Sequence, residues 1–246
     1  MTPDATLSSK QGAEIDAKHV FTILRRLHLS VFLTSLPFGM LVFGLPLIAR
    51  ALGASTLAIG GLLAAYALIV VALQPVVGYG LDRFGRRPFL LAGLLGYAFS
   101  NALFGLTSDV GGLLLAQLVQ GMGAGLLWLA ALAVISDLAH EDTLGQEYGR
   151  IEEMSIRGIL LGTVVGLALF YLLSGGALDA VSGGGESPLA GSRPMFLGYA
   201  AATLLAATTH AQTAPKVEDA CARPTVAGQA AGGGFLKITS PPPDRP

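Results

Sequence analysis

The 246-residue sequence is poor in charge and almost without cysteine: Asp, Glu, Lys and Arg together make up 13% of it, and Cys221 is its one thiol. Soluble domains carry roughly 25% charged residues, so a surface wetted on all sides is excluded. A single cysteine provides no internal disulfide framework, and without a CxxC pair or a Cys/His cluster the zinc-binding spacings are missing too. No metal and no cofactor are expected. Basic residues are not in surplus either, since 15 Lys and Arg stand against 16 Asp and Glu for a net charge of −1. That balance excludes the basic face a nucleic-acid binder gathers against phosphates.

What the chain has in abundance is apolar residues, at 52%, and 33 glycines, for a mean hydropathy of +0.64. Six runs carry no Asp, Glu, Lys or Arg: Leu27 to Ala49, Ala51 to Leu81, Pro88 to Ser108, Val110 to Ser136, Gly158 to Leu178 and Pro194 to Pro215. The shortest has 21 residues, which as a helix spans roughly 31 Å and crosses a hydrocarbon core of about 30 Å. A soluble helix would show charges every turn or two on its wet face, whereas these runs are apolar all round. The expectation is an all-α membrane protein with six transmembrane helices, at about 27–49, 57–80, 88–108, 112–136, 157–178 and 194–211. The sixth is the least apolar, its strongly hydrophobic part being Met195 to Ala207. Glycine-rich composition suits such helices, because small residues let backbones approach.

Positive charge sets the orientation. With the amino terminus in the cytoplasm, one side holds Arg25, Arg26, Arg83, Arg86, Arg87, Arg150, Arg157 and six further Lys and Arg, while the other holds Arg50 and Arg193 alone. Both termini are therefore expected to be cytoplasmic. The first run follows a polar leader, residues 1–26, and is too long and too deep to be a cleaved signal core. Residues 179–193 read as a Gly- and Ser-rich external loop, and 212–246 as a disordered tail rich in Pro, Ala and Gly. Pro37, Pro46 and Pro75 interrupt the first two spans; they either bend helices that move or reflect the greater frequency of proline in membrane helices.

The most specific local pattern is GYGLDRFGRR, Gly78 to Arg87, between the second and third spans. Gly78 would let helices pack closely, Gly85 supplies a permissive turn, and Pro88 opens the next helix where no amide donor is needed. Asp82 and the arginines would then bridge helices at the membrane edge. This pattern resembles the signature GxxxDRxGRR of the major facilitator superfamily of secondary transporters, matched at Gly78, Asp82, Arg83, Gly85, Arg86 and Arg87. The likeness continues in LPLIARALGAS around Pro46, Gly53 and Ser55, in LVQGMGAG (Leu118 to Gly125), in Asp137, and in GQEYGR (Gly145 to Arg150). It covers residues 20 to 210, the amino-terminal six-helix half of the family's bundle. It implies a gating cluster of Asp82, Arg86 and Asp137 that faces a second half. Two residues depart from the family's patterns: Gln117 stands where an arginine is usual, and Thr163 where antiporters have proline.

The resemblance further implies a cavity between the first and fourth helices. Gln117, Gln120, Ala124 and Trp128 fall on one stripe of the fourth. Thr34, Phe38, Gln120 and Trp128 are the candidate cavity residues, the alternative being that they pack and hydrogen-bond between helices. Gly158, Gly162 and Gly166 form a GxxxGxxxG ridge, and Gly121 and Gly125 serve helix packing, GMGAG lacking the spacing of a nucleotide loop. No charged residue falls within the runs, so no proton relay is read there. The functional expectation is a secondary transporter of a small solute, truncated or a half transporter, in the plasma membrane. Its partners would be the lipid bilayer, the solute, and a second six-helix half or a homodimer. The alternative is a non-transporting membrane scaffold. Rhomboid-type or aspartyl intramembrane proteolysis is excluded for want of a GxSG serine or acids within the runs, leaving no catalytic residues and no enzyme expected.

Overall fold

A computed structural model of the chain describes residues 3–139, 142–173 and 188–212. They form six α-helices: α1 (Pro3–Ala51), α2 (Thr56–Phe84), α3 (Arg86–Leu106), α4 (Val110–Leu138), α5 (Leu144–Leu173) and α6 (Pro188–Gln212). Helices are the expected outcome of apolar sequence in lipid, where every backbone N–H and C=O must find its partner within the segment. Segments of α1 to α5 are long and apolar enough to cross a membrane. With 25 residues, α6 has the length, at roughly 37 Å, but a shorter apolar stretch.

The helices extend beyond the uncharged runs. α1 begins at Pro3, so the polar leader is helical and continuous with the first span, and Pro37 and Pro46 lie inside it. α6 begins at Pro188, making residues 188–193 helix where a loop was expected. The rest of that loop and the tail 213–246, Cys221 included, lie outside the described residues. Turns follow local chemistry. Gly53 takes φ +82° after α1, and the Ser55 hydroxyl caps α2 by accepting from the Ala58 amide at 3.2 Å. Asp109 caps α4 through the Gly112 amide at 2.7 Å.

Glycine sets the helix registers. A Cβ added at Gly158, Gly162 or Gly166 of α5 would run into Phe32, Leu36 and Met40 of α1 in turn, so the two helices lie parallel with a constant offset. A Cβ at Gly39 would strike the Ile159 backbone from the opposite side. Gly121 of α4 leaves no room for a Cβ against Tyr66 and Ile69 of α2, and Gly125 lies in parallel order at ordinary contact distance from Val70 and Leu73, whereas Gly93 and Gly96 of α3 meet Leu127 and Gly123 of α4 in antiparallel order. Thr163 hydroxyl donates to the Gly39 carbonyl at 2.9 Å, fastening α5 to α1. α6 lies against α3, with Phe196 stacked on Phe104 at 5.4 Å.

Two apolar cores fill the bundle. One, around Leu27, Leu94, Leu127, Ile135 and Ile151, lies toward the α2–α3 turn; the other, around Met40, Ile48, Leu62, Phe104 and Phe196, lies toward the opposite end. Between them in chain order on α1, α3 and α4 comes a buried polar belt: Thr34, Ser35, Ser100, Asn101, Gln117 and Gln120.

Gly162→Leu should break the α1–α5 seam, because its first side-chain atom already overlaps the Leu36 backbone. Thermal unfolding of the purified chain in detergent should show a loss of about 1–3 kcal/mol or more. Gly61→Ala, where a Cβ meets open space, should leave the midpoint unchanged or slightly raised.

Candidate functional site

The turn between α2 and α3 is one residue long. Gly85 ends α2 and precedes α3 with φ +80°, a conformation that strains any residue with a Cβ. Its amide donates to the Leu81 carbonyl at 3.1 Å. The tightness of the turn brings the first residue of α3 back over the end of α2. From there the Arg86 guanidinium donates to the Leu81 carbonyl at 2.9 Å and, through Nε, to Asp137 Oδ2 of α4 at 2.8 Å.

Asp82, Arg86 and Asp137 do come together, but unequally. Asp82 stands 3.9 Å from Arg86, and its side chain is 69% exposed against 31% for Asp137. Arg86 is thus bound to Asp137, while Asp82 faces outward at the bundle edge. Arg83 turns away as well, donating to the Tyr79 hydroxyl at 3.3 Å and lying 5.7 Å from the centre of the Phe84 ring. Arg87 is partly buried and has interactions of its own. Gly78, expected to permit close packing, has open space where its Cβ would stand; the close approach is at Gly80, against the Phe89 ring. The turn of the helix puts Gly80, and not Gly78, on the face toward α3.

A cavity of about 250 Å³ lies between α1, α2, α4 and α5, with Tyr97 of α3 behind it. Thr34, Phe38 and Trp128 line it, together with Tyr66, Ala124 and Leu127. Phe38 and Tyr66 face each other at 5.5 Å between ring centres. Thr34 offers little to a solute, because its hydroxyl already donates to the Ser30 and Val31 carbonyls at 3.0 Å. Gln120 is not among the lining residues. It is fully buried, and its amide, like that of Asn101, has no hydrogen-bond partner among the described residues. Gln117 is committed to packing, donating to the Leu62 carbonyl of α2 at 3.3 Å.

The residue that sequence reasoning missed is Glu152. Together with Ser155 and Ile159 it forms the α5 wall of the cavity, and Ser155 shares a hydrogen bond of 3.2 Å with Ser35 of α1. Glu152 precedes the uncharged run Gly158 to Leu178 and so falls outside the expected span 157–178. Yet α5 starts at Leu144, and residues 152, 155 and 159 share one helical face. Its acidic neighbours differ. Glu147 pairs with Arg150 and Glu153 with Arg157, around a separate hollow of about 540 Å³ between the middle of α1, from Phe21 to Phe32, and the first half of α5.

Residues 27–230 match the family model of the Major Facilitator Superfamily. Among similar curated proteins, a triacylglyceride transporter of Mycolicibacterium smegmatis is 31% identical over 109 residues, which is 44% of this chain and 20% of that protein. Multidrug resistance protein 1 of Bacillus subtilis is 28% identical over 137 residues, 56% of this chain and 35% of that protein. Quinolone resistance protein NorA of Staphylococcus aureus is 26% identical over 140 residues, 57% and 36% respectively. The matched stretches thus span about a third or less of these relatives.

The unequal geometry at the turn makes a quantitative expectation. In a double-mutant cycle on thermal stability, Arg86→Gln with Asp137→Asn should give a coupling of about 0.5–1 kcal/mol, and Arg86→Gln with Asp82→Asn a coupling near zero.

Proposed function

The chain belongs to the major facilitator superfamily, and from that premise we propose that it moves a small amphipathic solute across the plasma membrane by alternating access. The observation that carries this reading is the cavity between α1, α2, α4 and α5, walled by Phe38, Tyr66 and Trp128 and provided with a few polar groups. An apolar pocket with a small number of oriented polar groups is the usual form of a small-molecule site.

Alternating access in this superfamily is a rocking of one six-helix repeat against another around a fixed site. Two features support docking of a second bundle here. Only 6% of the apolar window of α2 and 17% of that of α5 are buried, against about half in α1, α3 and α4. Between them these two faces present Leu68, Val71, Val76, Leu160, Val164 and Leu172. We assign the partner face to α2 and α5, with Asp82 at its edge. The second bundle is either another six-helix segment or a second copy of this chain. In that assembly the Arg86–Asp137 pair locks α3 to α4, and Asp82 gains its charge partner only when the two bundles close at that end. Asp82 would then act as a gate latch.

Flux of a fluorescent amphipathic solute from vesicles containing the chain should exceed that from empty vesicles and fall about tenfold or more with Asp82→Asn, membrane insertion being unchanged. Equal flux from both proteins, or none from either, would favour the scaffold reading. Orientation is checked by thiol labelling in a Cys221→Ser background. An impermeant reagent applied to intact cells should reach Ser108→Cys, and should reach Arg83→Cys only after permeabilisation.

A further inference from the structure

Resting on the cavity as the solute site, we infer that the Glu152 carboxylate makes that site selective for organic cations with an apolar, ring-bearing body. Its charge has no counterion: Glu152 makes no ion pair among the described residues, and the cavity lining contains no Lys, Arg or His. The nearby arginines of α5 do not neutralise it, since Arg150 is bound to Glu147 and Arg157 to Glu153. Among the described residues the cavity therefore carries one negative charge without a paired cation.

The remaining walls suit the same ligand. Phe38, Tyr66 and Trp128 present aromatic rings, and a cation near ring faces gains electrostatic attraction from their quadrupoles in addition to apolar contact. Ser35 and Ser155 share one hydrogen bond with each other, so only one of their two hydroxyl protons is left for a solute, a neutral donor that does not offset a full negative charge. An anionic solute would meet a like charge without a compensating cation, and a neutral one would gain apolar burial alone. The volume of about 250 Å³ sits just below the usual range of ligand pockets, about 300–1,000 Å³, and admits a one-ring cation.

The chain's single tryptophan is Trp128, a lining residue, so binding can be read from its fluorescence without any transport step. The full chain in lipid nanodiscs would be titrated with benzyltrimethylammonium and with its neutral carbon isostere, neopentylbenzene. Glu152→Gln should raise the Kd of the cation roughly three- to tenfold and leave that of the isostere unchanged, while Glu152→Asp should keep most of the preference for the cation. An unchanged cation Kd in Glu152→Gln, or equal weakening of both compounds, would overturn the inference and leave the cavity reading standing. Absence of any Trp128 response to either compound would overturn both.

Discussion

Close backbone contact between α1 and α5 is the constraint on which the rest of the molecule depends. Lipid tails are as apolar as leucine side chains, so the hydrophobic effect does not press membrane helices together, and dispersion contacts at short range must do so. Glycines 158, 162 and 166 provide that range by leaving the α5 surface flat against Phe32, Leu36 and Met40. The consequence is positional. Once these three are seated, residues 152, 155 and 159 on the adjoining face can point only into the space shared with Thr34, Ser35 and Phe38. The cavity wall is thus a by-product of the seam, and Thr163, reaching across to the Gly39 carbonyl, fixes its height along the bundle.

At the charged end the same economy of space acts through one turn. A single glycine with positive φ lets Arg86 return over α2, and the guanidinium, with its several donors, binds the end of one helix and the carboxylate of another at once. Because Arg86 gives its Nε to Asp137 and Nη1 to the Leu81 carbonyl, Asp82 is left exposed at 3.9 Å, outside hydrogen-bond reach of the arginine. An acid in that position is weakly held by its own bundle and is available to a neighbour.

Much of the architecture was legible in the sequence. Length, hydropathy and the absence of charge located the helices, and the GxxxGxxxG spacing marked 158, 162 and 166 as a packing ridge, though not that α1 is the helix it meets. The turn motif could be read because Gly85 and Arg86 have roles fixed by covalent geometry and donor count. What was not legible depended on rotation and extent. Gly78 and Gly80 differ by two positions, and only the packed bundle distinguishes which of them faces Phe89. Gln120 lies on the stripe of Trp128, yet the helix directs it into the buried polar belt. An uncharged run need not end where its helix ends: α1 and α5 both continue past their charges, and this is why Glu152 fell outside the expected span.

The position of Glu152 also follows from the energetics of charge in a bilayer. A carboxylate at the centre of a span costs about 2.5–3.5 kcal/mol on insertion scales, and more if no water reaches it. Eight residues into α5, Glu152 lies about 12 Å along the helix from Leu144, near the polar end, and remains exposed, so it retains solvent while facing the cavity. A cavity whose other walls are aromatic, apolar or neutral polar can therefore hold one full charge without a permanent counterion. Moving the acid a turn or two deeper would require a partner cation in the wall, and that cation would cancel the field a solute meets. The charge thus sits where solvation and influence on the cavity are both possible.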